Sequence, residues 1–165
     1  MAGFGEKRDN GLANSAKSGI LSEKDIYALN QYKSSNVAFP LNSILRGEAP
    51  MTEHYRQSAH DIDQALLKLP MYQGTVYRSV WSAKMVDVES FWQKYTPGEV
   101  VTEPAYTSAS TEVYDKTADV QMIIRSKRGR DMRKYNPLEQ EILFRRGTIF
   151  IVEKKEGNTL WLTEA

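Results

Sequence analysis

The chain has no cysteine among its 165 residues, so no disulfide and no thiolate metal site can hold it together, and its redox compartment stays open. No run of about 18 or more apolar residues occurs, which leaves no segment suited to a membrane-spanning helix. The N-terminus lacks the charged, then apolar, then small-residue order of a secretory signal. Charge of one sign is also lacking: 22 Lys and Arg against 21 Asp and Glu leave +1, too little for a global attraction to nucleic acid or anionic membrane. Familiar signatures are missing as well, with no G-x-G-x-x-G after a strand, no P-loop, no G-x-S-x-G and no H-E-x-x-H. The two histidines, His54 and His60, are six apart on a predicted helix, which sends them to different faces, and no metal site is expected.

What is present suits one domain. An apolar content of 41% with 10% aromatics in a chain of this length fills a single core. Residues 1–19 are rich in Gly, Ser and Asn with little apolar periodicity and read as a flexible lead-in, leaving 20–165 as the domain. Ser22 can cap a helix running to about Tyr32, with Ile26 and Leu29 on one face. A short helix is predicted near Asn42 to Arg46. A longer one runs from Thr52 to Leu69, capped by Thr52 and stopped by Pro70. The period then becomes strand-like, at Gly74 to Trp81, Ala105 to Ser110, Asp119 to Ser126, Glu141 to Arg145, Thr148 to Glu153 and Thr159 to Thr163, with one short helix at Val88 to Tyr95. Helices first and strands later predict an α+β domain with antiparallel sheets.

Four stretches offer chemistry. Arg78, after Tyr77 in the strand TVYRSVW, places a guanidinium on a rigid element, where desolvation demands an anion or a carboxylate partner. The strand from Pro104 to Thr111 is lined with small hydroxylated residues that leave room for a ligand and can bond to it. Glu139 and Glu141 follow the turn at Asn136-Pro137. With 13 glutamates in the chain, chance supplies about one Glu-x-Glu pair, so position matters more than the pattern. Glu141 should open a strand with Glu139 at the loop edge, two residues apart and on one side, an arrangement suited to chemistry at an anomeric carbon. The fourth is the run from Arg125 to Lys134, six basic residues and one acid, which can face phosphate or simply be solvated.

In this order the pieces resemble the Arg-Ser-Glu class of bacterial mono-ADP-ribosyltransferase toxins. The matches are Tyr77-Arg78, then Tyr106-Thr107-Ser108-Ala109-Ser110, then Glu139-Gln140-Glu141. The likeness extends upstream to Tyr32, Leu41-Asn42 and Leu45-Arg46, and downstream through Gly147 and Phe150-Ile-Val152, covering roughly residues 20 to 163. One position departs from the pattern: Ala109 stands where the family usually has a hydroxyl, although alternation sends it away from Ser108 and Ser110.

The resemblance implies N-terminal helices packed on two antiparallel sheets around an NAD cleft. It implies NAD as substrate, bound by Arg78, Tyr77, Ser108, Ser110, Tyr114 and Glu141. Arg78 would meet the pyrophosphate, Glu141 would stabilise the ribosyl cation, Ser108 would hold that carboxylate, and Glu139 would bind an acceptor arginine on a target protein. It further implies an effector acting in the cytoplasm of a target cell, with a dedicated antagonist protein protecting the producer. Two other functions stay open: NAD glycohydrolysis, with water as acceptor, and RNA modification or nucleic-acid binding through the basic run.

Overall fold

In the computed structural model, residues 20–165 are described; the lead-in assigned to 1–19 lies outside them. Three helices come first. Helix α1 (Glu23–Lys33) starts at a capping box, in which Asp25 N–H donates to the Ser22 hydroxyl at 3.1 Å while Ser22 N–H donates to the Asp25 carboxylate at 2.8 Å. The same Asp25 meets Lys68 Nζ at 2.6 Å and so ties α1 to the end of α3. Helix α2 (Ser35–Leu45) is longer than the sequence predicts, because it runs through Pro40. A proline removes one helical hydrogen bond, yet Ser34 Oγ caps the N-terminus and Leu41 is buried in the core, which together outweigh the loss. Helix α3 (Glu53–Leu67) is capped by Thr52 as expected and buries Ala59, Ile62, Ala65 and Leu66 along one face.

Seven strands, one short α-helix and a 3-10 turn (Ser82–Lys84) follow: β1 (Met71–Val80), α4 (Val88–Lys94), β2 (Val100–Glu103), β3 (Thr107–Ser110), β4 (Val120–Asp131), β5 (Glu141–Phe144), β6 (Thr148–Glu156) and β7 (Thr159–Glu164). Strand β2 has no counterpart among the predicted strands, since only two adjacent valines mark it between Pro97-Gly98 and Pro104. Strand β1 begins earlier than predicted, because a bulge between Tyr72 and Gly74 lets the ladder continue past the glycine.

The expected α+β order of helices before strands holds, and the strands expected as two sheets are linked into one. The strands form one hydrogen-bonded network in the order β1-β3-β5-β4-β7-β6-β2, with β1 also paired to β4, and the β4–β7 pair is parallel. The cause is the length of β4. Its first half pairs with β7, while Arg130 and Asp131 at its far end pair with Leu143 and Ile142 of β5, so one strand serves both halves. The basic run thus continues the strand past Ser126. Glu164 makes this possible, because its buried carboxylate accepts the N–H groups of both Lys127 and Arg128 at 2.7 Å.

Two cores sandwich this network. One joins α1, α2 and α3 to Tyr106, Met132 and Leu143, and the other fills the strand-rich half around Val76, Ile124, Phe144 and Phe150. Strands β3 and β5 contribute to both, through Tyr106 just ahead of β3 and Ala109 within it, and through the neighbours Leu143 and Ile142 in β5. Their backbones are therefore clamped from two sides, which suits them to carry a site.

Candidate active site

The central strands bring together the residues that the sequence separates. Tyr77 of β1 pairs with Ser110 of β3, and Ser110 in turn opposes Glu141 of β5. Arg78 donates through a terminal guanidinium nitrogen to the Ser108 carbonyl at 2.9 Å, and the Ser108 hydroxyl donates to Glu141 Oε2 at 2.6 Å. Arginine, serine and glutamate thus form one connected chain across three strands. A cavity of about 190 Å³ opens beside it, lined by Tyr77, Arg78, Ser79, Ser108, Ala109, Ser110, Tyr114 and Glu139. Glu141 is not in that wall; it stands behind Ser108, almost fully buried. This volume is below the roughly 300–1,000 Å³ of a pocket that encloses its ligand. A ligand larger than this would extend beyond the cavity.

The electrostatics are uneven. Burial raises the Glu141 carboxyl above the usual glutamate range, and the nearby Glu139 adds to the rise. Hydrogen bonds from Ser108 and Asn136, and the positive charge of Lys33, pull it back down. Burial likewise lowers the Arg78 guanidinium from its usual value, opposed chiefly by the Glu103 carboxylate. A half-buried cation held by one backbone carbonyl still has donors to offer an anion.

Glu139 and Glu141 do lie together, but strand alternation is not the reason. Strand β5 begins only at Glu141, and Gln140 before it adopts a left-handed backbone with φ 48°. The two carboxylates are joined instead through Asn136, whose Nδ2 donates to Glu141 Oε1 at 2.9 Å and to Glu139 Oε1 at 3.2 Å. Sequence reading uses Asn136 only as a turn marker; its place three and five residues ahead of the glutamates is the one local signal of this contact. Ser110 lines the cavity, but its hydroxyl accepts the Glu112 N–H at 3.1 Å and so helps shape the following loop. Tyr114, on that loop, is 64% exposed at the cavity rim.

The helices brace the entry to β3. Asn42 Nδ2 donates to the Tyr32 hydroxyl at 2.9 Å, and the Tyr106 N–H donates to Asn42 Oδ1 at 3.2 Å, linking α1 and α2 to the entry of β3. Burial pushes the Tyr32 phenol up to about 12, so it stays protonated at neutral pH. The Tyr106 hydroxyl donates to Asp63 at 2.6 Å, adding a tie to α3.

The other sequence candidates fall elsewhere. His54 and His60 lie on α3, and no group of three or more His, Asp or Glu among the described residues is placed to hold a metal ion. In the basic run, Arg128 pairs with Glu164 at 3.3 Å, Arg130 donates to the Leu69 carbonyl at 3.0 Å, and Arg133 grips Asp131 through two bonds. Three of its cations thus brace the fold. Among the described residues no helix is long and apolar enough to cross a membrane.

No family model matches the chain. Over 143 residues it is 36% identical to a Mycobacterium avium (strain 104) protein provisionally named NAD(+)–arginine ADP-ribosyltransferase Mav, covering 82% of this chain and 16% of that protein. A stretch of 56 residues, 34% of this chain and 20% of the relative, is 45% identical to the provisionally named NAD(+)–arginine ADP-ribosyltransferase Vis of Vibrio splendidus (strain 12B01). The chain therefore spans 16% and 20% of the lengths of these two curated relatives. Among solved structures, the type III effector XopAI of Xanthomonas axonopodis pv. citri superposes with a TM-score of 0.74 at 23% identity, over 88% of this chain and 64% of that one. ADP-ribosyltransferase Vis, solved in complex with agmatine, gives 0.67 at 24% identity, over 88% and 75%. The catalytic domain of VahC from Aeromonas hydrophila gives 0.69 at 18% identity, over 88% and 100%. By fold this chain groups with the bacterial ADP-ribosyltransferases, and by sequence with relatives named as arginine-directed members of that family.

Proposed function

We propose that this chain is the catalytic domain of an Arg-Ser-Glu class mono-ADP-ribosyltransferase that moves ADP-ribose from NAD to an arginine of a target protein. The observation that carries this reading is the Arg78–Ser108–Glu141 chain, with Glu139 held next to Glu141 by a shared donor. Arg78 supplies fixed guanidinium donors for the pyrophosphate of the substrate. Glu141, its carboxylate bonded to the wall residue Ser108, supplies negative charge near the ribose, where positive charge grows as the glycosidic bond breaks and nicotinamide leaves with its electron pair. Ser108 holds that carboxylate in place. Glu139, exposed at the cavity wall, binds the incoming guanidinium; the arginine nitrogen forms the new bond to the ribose carbon and sheds a proton within reach of Glu139.

The arginine-directed names of the sequence relatives, and the agmatine complex of Vis, support a guanidinium acceptor. The type III effector among the structural neighbours supports an effector that works inside a target cell, and a producer of such an enzyme needs an antagonist protein. The decisive experiment incubates the purified chain with labelled NAD and agmatine, following nicotinamide and the fate of the label. Nicotinamide release with label on agmatine is expected. Label only in free ADP-ribose would instead make the chain a glycohydrolase, and no nicotinamide release would overturn the reading.

A further inference from the structure

The loop between β4 and β5 is closed on itself in a way that fixes one side chain. Met132 N–H donates to the Glu141 carbonyl at 3.0 Å, and Asn136 N–H donates to the Met132 carbonyl at 2.7 Å, so the Asn136 backbone is referenced to Glu141 through two bonds and a fully buried methionine. Helix α1 secures the same loop, because Lys33 Nζ donates to the Tyr135 carbonyl at 2.7 Å. From that position the Asn136 amide nitrogen has two protons to give, and it gives one to each glutamate. Both acceptors are negative, so each bond is charge-assisted and stronger than an ordinary one. The backbone before Glu141 turns left-handed at Gln140, so the strand itself does not aim Glu139.

We propose that Asn136 is a positioning residue of the reaction: its amide holds the acceptor-binding Glu139 against the catalytic Glu141 and thereby sets how much ADP-ribose goes to arginine rather than to water. This rests on the transferase reading above. Glu139 is exposed, and its bond to Asn136 is what anchors its carboxylate at the site, so without that bond it samples several rotamers. Transfer then loses its aimed acceptor, whereas hydrolysis needs only Glu141. Loss of the same amide also removes a donor to the Glu141 carboxylate. The titratable groups facing Glu141 are Glu139 from its own loop and Lys33 and Tyr32 from α1, with Arg78 of β1 on the far side of Ser108. With one fewer donor the carboxyl ionises at higher pH, so the acidic limb of the rate profile moves upward.

The test compares Asn136→Ala and Asn136→Asp with the wild-type chain, measuring nicotinamide release with and without agmatine across pH, and thermal midpoints to confirm folding. Asn136→Asp keeps the shape but replaces two donors by a third carboxylate, which makes it the sharper variant. In Asn136→Ala, agmatine modification should fall about tenfold more than hydrolysis, and the acidic limb should shift to higher pH. Asn136→Asp should be worse than Asn136→Ala in both respects. A residue that merely shapes the loop would tolerate aspartate and leave the profile unmoved; that outcome, in an active wild-type background, sinks this proposal alone. A wild-type chain that releases no nicotinamide would refute the transferase reading and this one together.

Discussion

Ser108 and Glu141 meet at 2.6 Å although they do not face each other in the sheet. The residue opposite Glu141 is Ser110, while Ser108 opposes Leu143, so the contact runs diagonally along the shared face of β3 and β5. Diagonal neighbours stand about 7–8 Å apart at the backbone, which a glutamate can bridge and a shorter acid cannot. Ser110 is closer in register, but its hydroxyl is turned to the Glu112 N–H. The two serines of the motif therefore have different work, one on the carboxylate and one on the loop that carries Tyr114.

Their variants should separate accordingly. Ser108→Ala removes a charge-assisted donor to Glu141 and is expected to slow nicotinamide release by about tenfold or more. Ser110→Ala should act more weakly and mainly on KM for NAD, through the loop. Steady-state nicotinamide release against NAD concentration reads both, and equal kcat losses in the two variants would contradict the division.

Burial of Glu141 implies a trade between stability and activity. Its carboxyl is raised in the folded chain, so below the unfolded glutamate pKa both states are protonated and nothing is lost. As pH climbs past that value the unfolded chain ionises first, and the folded state loses stability until Glu141 itself has ionised. Glu141→Gln stays neutral and can still satisfy Ser108, whose hydroxyl turns to accept, and Asn136. At neutral pH it should raise the thermal midpoint by a few degrees, about what 1 kcal/mol does to a domain of this size, with the gain fading at acidic pH. Calorimetry at two pH values checks the sign; a variant less stable than wild type at neutral pH would show that burial is not the dominant effect.

The chain order of Arg78, Ser108 and Glu141 is legible because each lies in a short segment with a local marker: β-branched and aromatic residues in β1, small hydroxylated residues in β3, and the Asn136-Pro137 turn ahead of β5. The single connected network is not. It depends on β4 continuing through Ser126 to Asp131, where Glu164 supplies the carboxylate that takes up two backbone N–H groups from more than 35 residues away. Asn136 was legible as a turn but not as a clamp, since both glutamates lie within five residues and only the Met132 bridge folds the loop back onto them.

Arg78 should govern NAD binding as measured by thermal shift. A ligand that binds only the folded state raises the midpoint by mass action, and Arg78→Ala should abolish most of that rise. Arg78→Lys should restore little, because an ammonium cannot both hold the Ser108 carbonyl and present a planar fork to phosphate. A full NAD shift in either variant would take Arg78 out of the site.

Gly129 is where β4 passes closest to its neighbours. A Cβ there would lie 2.7 Å from the Ile142 side chain and 2.7 Å from Ser126 Oγ, with Phe144 also in contact. The Ser126 hydroxyl bridges Gly129 to the Tyr72 carbonyl and cannot simply move aside. Gly129→Ala is therefore expected to destabilise the domain by about 1–3 kcal/mol, visible as a lower denaturant midpoint with an unchanged slope.

The two glutamates provide the strictest test of mechanism, because their surroundings differ so much. Glu141 is buried and bonded on both oxygens, whereas Glu139 is exposed in the cavity wall and tied to Asn136. Removing the Glu141 charge takes away transition-state stabilisation that every acceptor requires, so Glu141→Gln should lose hydrolysis and arginine transfer together, by about a thousandfold, while NAD still binds. Removing the Glu139 charge costs only the bidentate hold on a guanidinium, which water does not need. Glu139→Gln should therefore lose agmatine modification and keep appreciable nicotinamide release. Both activities measured on both variants decide the matter. Parallel loss in the Glu139 variant would deny it an acceptor role, and hydrolysis surviving in the Glu141 variant would remove the catalytic assignment on which the rest depends.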